Sequence, residues 1–265
     1  MLLDGLPSEL ELPLSVLFGA PLPARTRDAA ATIERARVEI AAGGASYRFE
    51  RVGPDVRWPV QSASGGEFTT RELAHLFSVP QRWGVFLNLC AEAWGARTIV
   101  ELGACVGISG AYLASTSASP RLVTLDAARD LVPMAASTLA EVTDRASVVV
   151  GPFEQTLGPA IESLSIDLAF VDGHHDGPAT CSYVRTIAPH LAERALLILD
   201  DIRFNRSMWT AWSTLVDEPG VTATIDVGRF GLLVTGGGSK RPVHYDLSRW
   251  TGWWRTGSPV FGGAT

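Results

Sequence analysis

The stretch Glu101-Leu102-Gly103-Ala104-Cys105-Val106-Gly107-Ile108-Ser109 contains the turn that decides the fold. It leaves an apolar run at residues 98–102 and passes through two glycines into a segment with helical character. Glycine permits a tight turn and allows a ligand to approach the backbone closely. Asp126 ends the next apolar run, nineteen residues after Gly107, and an acid at such a position can accept hydrogen bonds from ribose hydroxyls. The stretch therefore predicts a ligand-binding turn between a strand and a helix.

Short apolar runs alternate with helical segments along the chain after this turn. Strands that are apolar throughout are typical of parallel sheets covered on both faces. Two later runs, residues 222–227 and 230–235, are separated only by Gly228-Arg229, which is a hairpin signal. We therefore expect an α/β fold, with a Rossmann-like, seven-stranded, mostly parallel sheet, an antiparallel last strand and helices on both faces. The other predicted strands are residues 98–102, 122–126, 147–150, 168–171 and 195–199.

The chain divides into three predicted parts. Residues 1–80 form an N-terminal arm and a helical region that acts as a lid or a dimer contact, and the proline-rich beginning is expected to be irregular. In this part Thr69 and Glu72 have the spacing of a helix capping box. Residues 81–238 form the ligand-binding domain, and residues 239–265 form an irregular tail rich in tryptophan and glycine.

Composition limits the partners. The net charge of −6 argues against binding to a nucleic-acid backbone, which needs a basic surface. No run of about 18 apolar residues predicts a membrane span. The three cysteines match no metal or redox pattern, which indicates reduced thiols in a cytoplasmic protein. We expect a small-molecule substrate and a possible homodimer.

Three carboxylates follow two of the predicted strands. Asp172 comes directly after the run 168–171, and Asp200 and Asp201 come directly after the run 195–199. The carboxyl ends of parallel strands meet at one edge of a sheet, so these acids are expected beside the glycine turn. Clustered carboxylates repel one another unless they are protonated or neutralised. Mg²⁺, a hard cation that prefers oxygen ligands, is one solution.

The glycine turn resembles motif I of the class I S-adenosylmethionine-dependent methyltransferases, and is especially similar to the catechol O-methyltransferase group and the related bacterial small-molecule O-methyltransferases. The resemblance extends from about residue 81 to 236. It implies that Asp126 binds the cofactor ribose and that Phe153 and Glu154 contact its adenine. It implies that the methionine part of the cofactor is surrounded by Glu101, Gly103, Ala104, Gly107 and Ser109. An alternative role for Asp172, without a metal, is to hold the cofactor amino group or a substrate amine.

The same resemblance assigns a metal and a base. In metal-dependent members one aspartate follows the fourth strand and an acid pair follows the fifth, and Asp172, Asp200 and Asp201 match those positions. The catechol enzymes carry a lysine base three residues after the first aspartate, where this chain has His175. Histidine is a reasonable replacement because its free side chain titrates near neutral pH. His174 is the competing candidate.

The expected function is methyl transfer to a hydroxyl of a small molecule, such as a phenol, a sugar or another specialised metabolite. It would be assisted by a divalent cation, since a coordinated hydroxyl loses its proton more easily. One alternative is a metal-independent N- or O-methyltransferase that uses His175 or Asp172 directly. Another is a catalytically silent cofactor-binding or scaffold protein. A nicotinamide enzyme is disfavoured because Cys105 replaces the second glycine of the dinucleotide pattern.

Overall fold

The computed structural model describes residues 6–48, 67–236 and 242–251. Its strands form a small two-stranded sheet and a large eight-stranded sheet. The small sheet consists of β1 (Ser46–Arg48) and β2 (Glu67–Thr69). The large sheet consists of β3 (Thr98–Leu102), β4 (Arg121–Asp126), β5 (Ala146–Val150), β6 (Ile166–Val171), β7 (Leu191–Leu199), β8 (Val221–Asp226), β9 (Gly231–Thr235) and β10 (Val243–Asp246).

Helices cover both faces of the large sheet and the N-terminal side of the molecule. They are α1 (Glu11–Leu17), α2 (Ala24–Ala42), α3 (Thr70–His75), α4 (Gln81–Trp94), α5 (Ile108–Ala114), α6 (Val132–Ala140), α7 (Phe153–Ile161), α8 (Gly177–Ile187) and α9 (Arg206–Leu215). Short 3₁₀ turns occur at Ser8–Leu10, Arg129–Leu131, Ala188–His190 and Ser248–Trp250. Among the described residues, no helix is both long enough and apolar enough to cross a bilayer.

The strand order of the large sheet is β10-β8-β9-β7-β6-β3-β4-β5. Strand β9 runs antiparallel to both of its neighbours, β7 and β8, while the other neighbouring pairs are parallel. The predicted fold class, a mostly parallel Rossmann-like sheet with an antiparallel strand from the last hairpin, is confirmed. The strand order reverses beside β3, so the turn that follows β3 lies where ligands bind in such sheets.

The tail differs from the prediction. Residues 239–265 were expected to be irregular, but Val243–Asp246 forms β10, which pairs in parallel with β8. Without β10, strand β8 would leave an unpaired edge, and unpaired edges tend to acquire a partner. Four residues are too few for their alternation to be recognised against the surrounding glycines and tryptophans. Residues 252–265 lie outside the described part.

Successive residues of the central strands face two separate cores. On β6 and β7, Phe170 and Ile198 point into the layer beneath the N-terminal helices, α4 and α5. Their neighbours Val171 and Leu199 point into the layer beneath α7, α8 and α9. This alternation is the two-residue period of a strand, with both faces buried. Only the ends of these strands remain available to a ligand.

The N-terminal arm is also more ordered than predicted. Residues 1–23 were expected to be irregular, yet α1 buries Leu14 and Leu17, and Leu10 is buried just before it. These leucines lie on one helix face and join the same core as α4 and α5. Pro13 is tolerated because the first N–H groups of a helix have no intrahelical partner. Because four prolines lie in this arm, the sequence pattern did not indicate the short helix α1.

Helices α2 and α3 are joined to this core by defined polar contacts. The predicted capping box is confirmed, since Thr69 Oγ1 accepts from Glu72 N and the Glu72 side chain accepts from Thr69 N. The buried Arg37 donates to the carbonyls of Ala74 and Val79, at 2.5 and 2.7 Å. The Tyr112 hydroxyl of α5 donates to Glu34 Oε1 of α2 at 2.8 Å, so residues 6–48 and 67–80 pack as part of the main body. Their role as a lid or a dimer contact stays a prediction.

Candidate functional site

Two glycines shape the turn that follows β3. Gly103 and Gly107 have φ angles of 104° and 86°, which side chains with a Cβ rarely adopt. A Cβ at Gly103 would lie 2.1 Å from the Asp172 carbonyl oxygen, and one at Gly107 would lie 2.8 Å from the Ala135 carbonyl oxygen. The glycines are therefore required by the backbone itself. The turn is held directly against the loop that carries Asp172.

Asp126 closes the same turn from the end of β4. Its carboxylate accepts hydrogen bonds from Cys105 N at 2.7 Å and from Ala128 N at 2.8 Å. A carboxylate has about four lone-pair positions, so two remain for another donor. Asp126 is only partly buried. This geometry fits the predicted contact with the two ribose hydroxyls of a nucleoside.

Other residues predicted around the methionine part of the cofactor lie beneath the turn. Ala104, Ser109 and Glu101 are 1%, 6% and 0% exposed, whereas Gly103 and Cys105 are partly exposed. Neither carboxyl oxygen of Glu101 has a hydrogen bond of good geometry among the described residues, although the hydroxyls of Ser109 and Thr124 lie close enough to oppose the effect of burial on its pKa. Burial raises the pKa of Glu101 to about 7. An orphaned buried carboxyl group beneath the turn suits a positively charged ligand group close by.

The residues predicted to contact adenine form an aromatic cluster. Phe153 is buried, and its ring lies 5.4 Å from the ring of His174 and 5.5 Å from that of Tyr183. The Tyr183 hydroxyl donates to Glu154 Oε1 at 2.5 Å and also contacts His174 Nδ1. Burial lowers the pKa of His174. The ring of His174 therefore packs within this aromatic cluster, on the side of the loop that faces α7 and α8.

The three predicted acidic residues come together at the neighbouring strand ends. Asp172 N donates to Leu102 O and Asp200 N donates to Val171 O, both at 2.9 Å, so the loops continue the ladder of the sheet. The side chain of Asp200 is completely buried. It pairs with Arg229, whose Nε and Nη2 donate to its two carboxylate oxygens, each at 2.7 Å.

Arg229 sets the charges of this cluster. Burial alone would raise the pKa of Asp200, but the charge and hydrogen bonds of Arg229 hold it below its ordinary value. Burial, followed by the charge of Asp200, raises the pKa of Asp172 well above its ordinary value. The same causes raise the pKa of Asp201, whose Oδ1 lies 3.8 Å from Arg229 Nε. Arg229 therefore favours the ionised form of Asp200, and the charge of Asp200 in turn favours the protonated forms of Asp172 and Asp201.

This arrangement does not fit the predicted magnesium site. Both oxygens of Asp200, the central carboxylate, are already bound by a guanidinium group. Within residues 6–48, 67–236 and 242–251, no group of three or more histidine, cysteine, aspartate or glutamate side chains has the geometry to hold a metal ion. Asp172, Asp200 and Asp201 are neighbours, as expected, but an arginine pairs with the central carboxylate, Asp200.

His175 lies between the acidic cluster and α9. Its Nε2 is 3.7 Å from Asp172 Oδ1, and its ring is 5.2 Å from the ring of Phe204. The backbone carbonyl of His175 accepts from Asn205 Nδ2 at 3.1 Å. The side chain is 21% exposed, so a ligand can reach it. Asn205 also caps α9 through Met208 N, which ties the histidine loop to a rigid helix.

Backbone strain is concentrated in the same region. Among the described residues, five non-glycine positions have a positive φ, and four of them belong to the site. Such conformations cost energy and persist where the surroundings hold them, often at functional sites. The four are Cys105, His174, His175 and Asp201.

Two residues of the site were missed by sequence reasoning. Tyr183, in the middle of α8, carries no local signal. Arg229 was treated only as part of a hairpin turn, although that turn leaves the carboxyl end of β8 and so lies at the edge that carries the acids. Arg203, in the loop before α9, pairs with the buried Asp226 at 2.5 Å and lies over the ring of Trp209.

Comparison with known proteins agrees with this geometry. Residues 100–202 match a family model described as a methyltransferase domain. The catechol O-methyltransferase of Mycobacterium tuberculosis is 35% identical over 156 residues, which cover 57% of this chain and 67% of the relative. The chain therefore belongs to the class I S-adenosylmethionine-dependent O-methyltransferases. Within that class it is similar to the catechol O-methyltransferase.

Solved structures show the same fold. The O-methyltransferase TomG from Streptomyces achromogenes, in complex with S-adenosylmethionine, has a TM-score of 0.54 and 23% identity over 63% of this chain and 87% of its own. An O-methyltransferase from Bacillus cereus, in complex with S-adenosylhomocysteine, has a TM-score of 0.53 and 19% identity over 89% of this chain and 94% of its own. Both likenesses concern architecture.

Proposed function

We propose that this chain transfers the methyl group of S-adenosylmethionine to a hydroxyl oxygen of a small molecule, and that His175 accepts the hydroxyl proton. One observation carries the proposal. The Nε2 atom of His175 lies 3.7 Å from Asp172 Oδ1, and the carbonyl of Asp172 is packed against Gly103 of the cofactor turn. A proton acceptor therefore lies next to the turn that is proposed to hold the methyl donor.

The donor side of the proposal rests on Asp126 and Gly103. Asp126 has two free lone-pair positions for the ribose hydroxyls, and Gly103 lets the methionine part approach the backbone. When bound, S-adenosylmethionine supplies an electrophilic methyl carbon whose bond to sulfur breaks as the acceptor oxygen attacks. The relatives that contain this cofactor or its demethylated product support the same choice.

The acceptor side favours a phenolic molecule over a sugar. Phe204 is a partly exposed aromatic side chain near the proposed base, and its ring lies 5.2 Å from that of His175. Aromatic rings favour offset or edge-to-face contact with other rings. A phenol packed against Phe204 would place its hydroxyl beside His175. The catechol O-methyltransferase relative supports this class of acceptor.

The test is methyl transfer to a series of phenols of decreasing hydroxyl pKa, measured for wild type and for His175→Ala. A general base contributes about 10²–10⁴-fold, so we expect kcat to fall by that factor for the least acidic phenol. The loss should shrink for acidic phenols, which ionise without help. An equal loss for every phenol would mean that His175 has only a structural role.

A matched control and two further outcomes complete the experiment. His190→Ala removes a histidine just before β7, at the opposite edge of the sheet, and should leave kcat unchanged. Methylation of amines but of no hydroxyl would reject the proposed acceptor in favour of N-methylation. Binding of S-adenosylhomocysteine without turnover of any acceptor would instead favour a silent cofactor-binding protein.

A further inference from the structure

The guanidinium group of Arg229 is held firmly in the centre of the acidic cluster. The backbone carbonyl of Arg229 accepts a hydrogen bond from Ile202 N at 3.2 Å, which anchors the β8–β9 turn to the loop after β7. Its side chain is 18% exposed and donates to both oxygens of the completely buried Asp200 side chain. Paired N–H···O bonds between arginine and a carboxylate are strong and directional. Arg229 is therefore part of the site.

A divalent cation and this guanidinium group compete for the same place. Mg²⁺ needs oxygen ligands at about 2.0–2.1 Å in near-octahedral geometry, but both Asp200 oxygens face Arg229 at 2.7 Å. Arginine stays protonated in proteins, so it cannot give up its charge to admit a cation. A cation bound to Asp200 would meet an unscreened positive charge in a buried setting. The oxygens of Asp200 therefore suit the guanidinium group rather than a divalent cation.

We propose that Arg229 replaces the divalent cation in this chain, and that methyl transfer here requires no metal and no second hydroxyl next to the one that is methylated. A bound cation orients its substrate by direct coordination, and two adjacent hydroxyls suit that purpose. Arg229 makes no such demand, because a guanidinium group has no coordination positions for two substrate oxygens to fill, and two of its five N–H donors are directed at Asp200. The acceptor part of this inference rests on the proposed function, whereas the metal part does not.

Arg229 is a positioning residue in this scheme. It neutralises Asp200, which directly precedes Asp201 in the loop after β7 and donates from its backbone N–H to the carbonyl of Val171, next to Asp172. Removing the guanidinium group would leave a cluster of carboxylates with no counter-charge, which is the arrangement that binds a cation. The structure thus implies that a single substitution creates a metal site in this protein.

The metal part is tested by titrating Mn²⁺ into cofactor-free protein and measuring free Mn²⁺ by electron paramagnetic resonance. Wild type should bind no equivalent of Mn²⁺ at the site, whereas Arg229→Met should bind one, and Asp172→Asn added to Arg229→Met should abolish it. A wild-type site that Asp200→Asn removes would overturn the inference. The wild-type titration decides the question even if Arg229→Met does not fold.

Arg203→Met is the matched control. Arg203 also forms an ion pair with a buried aspartate, Asp226, but it does not contact Asp200. This variant should bind no Mn²⁺ and should keep the wild-type kcat. A gain of Mn²⁺ binding in Arg203→Met equal to that in Arg229→Met would show that any lost arginine has this effect, and would contradict the inference.

The catalytic part is tested with a chelator and two acceptors. Wild-type turnover should change less than about twofold in EDTA, and kcat/KM for a catechol and for the corresponding single-hydroxyl phenol should agree within about tenfold. Arg229→Lys should lower kcat and leave the KM for S-adenosylmethionine unchanged. Loss of turnover in EDTA that Mg²⁺ restores would overturn the inference. If no acceptor is methylated in any condition and wild type binds no Mn²⁺, the proposed function is rejected, while the metal part of the inference stands.

Discussion

Glu101 and Asp200 are two buried carboxyl groups near the carboxyl ends of two parallel strands, β3 and β7, and they are in opposite electrostatic situations. Glu101 lies beneath the cofactor turn without a hydrogen bond of good geometry among the described residues, and burial raises its pKa to about 7. Asp200 is equally buried, but Arg229 holds its pKa below the ordinary value. Burial by itself therefore does not decide whether a carboxyl group is charged here.

The difference separates the two halves of the site. In the cofactor half, polar side chains meet backbone groups, as Asp126 meets Cys105 N and Ala128 N, and Glu101 is left to titrate. In the acceptor half, side chains meet side chains, and a permanent cation fixes the charge of Asp200. The proposed cofactor half suits a ligand that brings its own positive charge. In the proposed acceptor half, Arg229 already balances the charge of Asp200.

The largest expected effect comes from Asp200→Asn. Removing one member of a buried ion pair leaves the other uncompensated, so the free energy of unfolding at pH 7 should fall by about 3–5 kcal/mol. Because the folded pKa of Asp200 is lowered, its stabilisation is complete above the ordinary aspartate pKa and is lost as the pH falls through the folded value. Urea denaturation between pH 3 and 7 measures both effects.

As the pH falls, the difference in the free energy of unfolding between wild type and Asp200→Asn should therefore become smaller. A gap that is below 1 kcal/mol at pH 7, or that widens towards low pH, would contradict the ion pair. Asp246→Asn is the control, because its side chain is 62% exposed and lies 3.7 Å from Arg203. Exposed ion pairs contribute about 0–1 kcal/mol.

Glu101→Gln should raise the free energy of unfolding above neutral pH, whereas Asp200→Asn should lower it. A folded pKa near 7 against an ordinary value of 4.5 means that the folded state prefers the protonated form. The stability of wild type should therefore fall as the pH rises from about 4.5 to 7, and remain lower above that. Glutamine cannot ionise, so the variant should be more stable at pH 8 by about 1–3 kcal/mol and show no gain at pH 4.

Thermal unfolding of cofactor-free protein between pH 4 and 8 measures this gain. If Glu101→Gln and wild type differ by the same amount at every pH, then Glu101 does not titrate in this range. A destabilised variant at pH 8 would show that the ionised carboxylate has a partner that the described residues do not contain.

Asp126→Asn is expected to have the smallest effect on stability and a specific effect on binding. The amide keeps one oxygen acceptor but loses the charge, and a hydrogen bond to a charged group contributes about 1.5–3 kcal/mol. The affinity for S-adenosylhomocysteine should fall by about 10–100-fold. Calorimetric titration measures the affinity. Asp130→Asn, an exposed position in the same loop, should leave it unchanged, and equal losses in both variants would argue against a ribose contact.

The fold was predictable wherever local patterns were long. The alternation of apolar runs and helices predicted the central strands, and β3 occupies its predicted residues, Thr98–Leu102. The misses were short elements. Helix α1 has seven residues and contains Pro13, and β10 has four residues. Their formation depends on burial against elements that are distant in sequence, which a local pattern does not contain.

The sequence by itself determined the cofactor turn and the meeting of the acids at one edge. Gly103 and Gly107 are required by the backbone of a strand-to-helix turn, and the direction of parallel strands brings Asp172 and Asp200 together. Only the tertiary structure decided what neutralises those acids. Arg229 is 29 residues from Asp200 and reaches it because β9 inserts between β7 and β8. A carboxylate cluster has the same sequence pattern whether a metal or an arginine balances its charge.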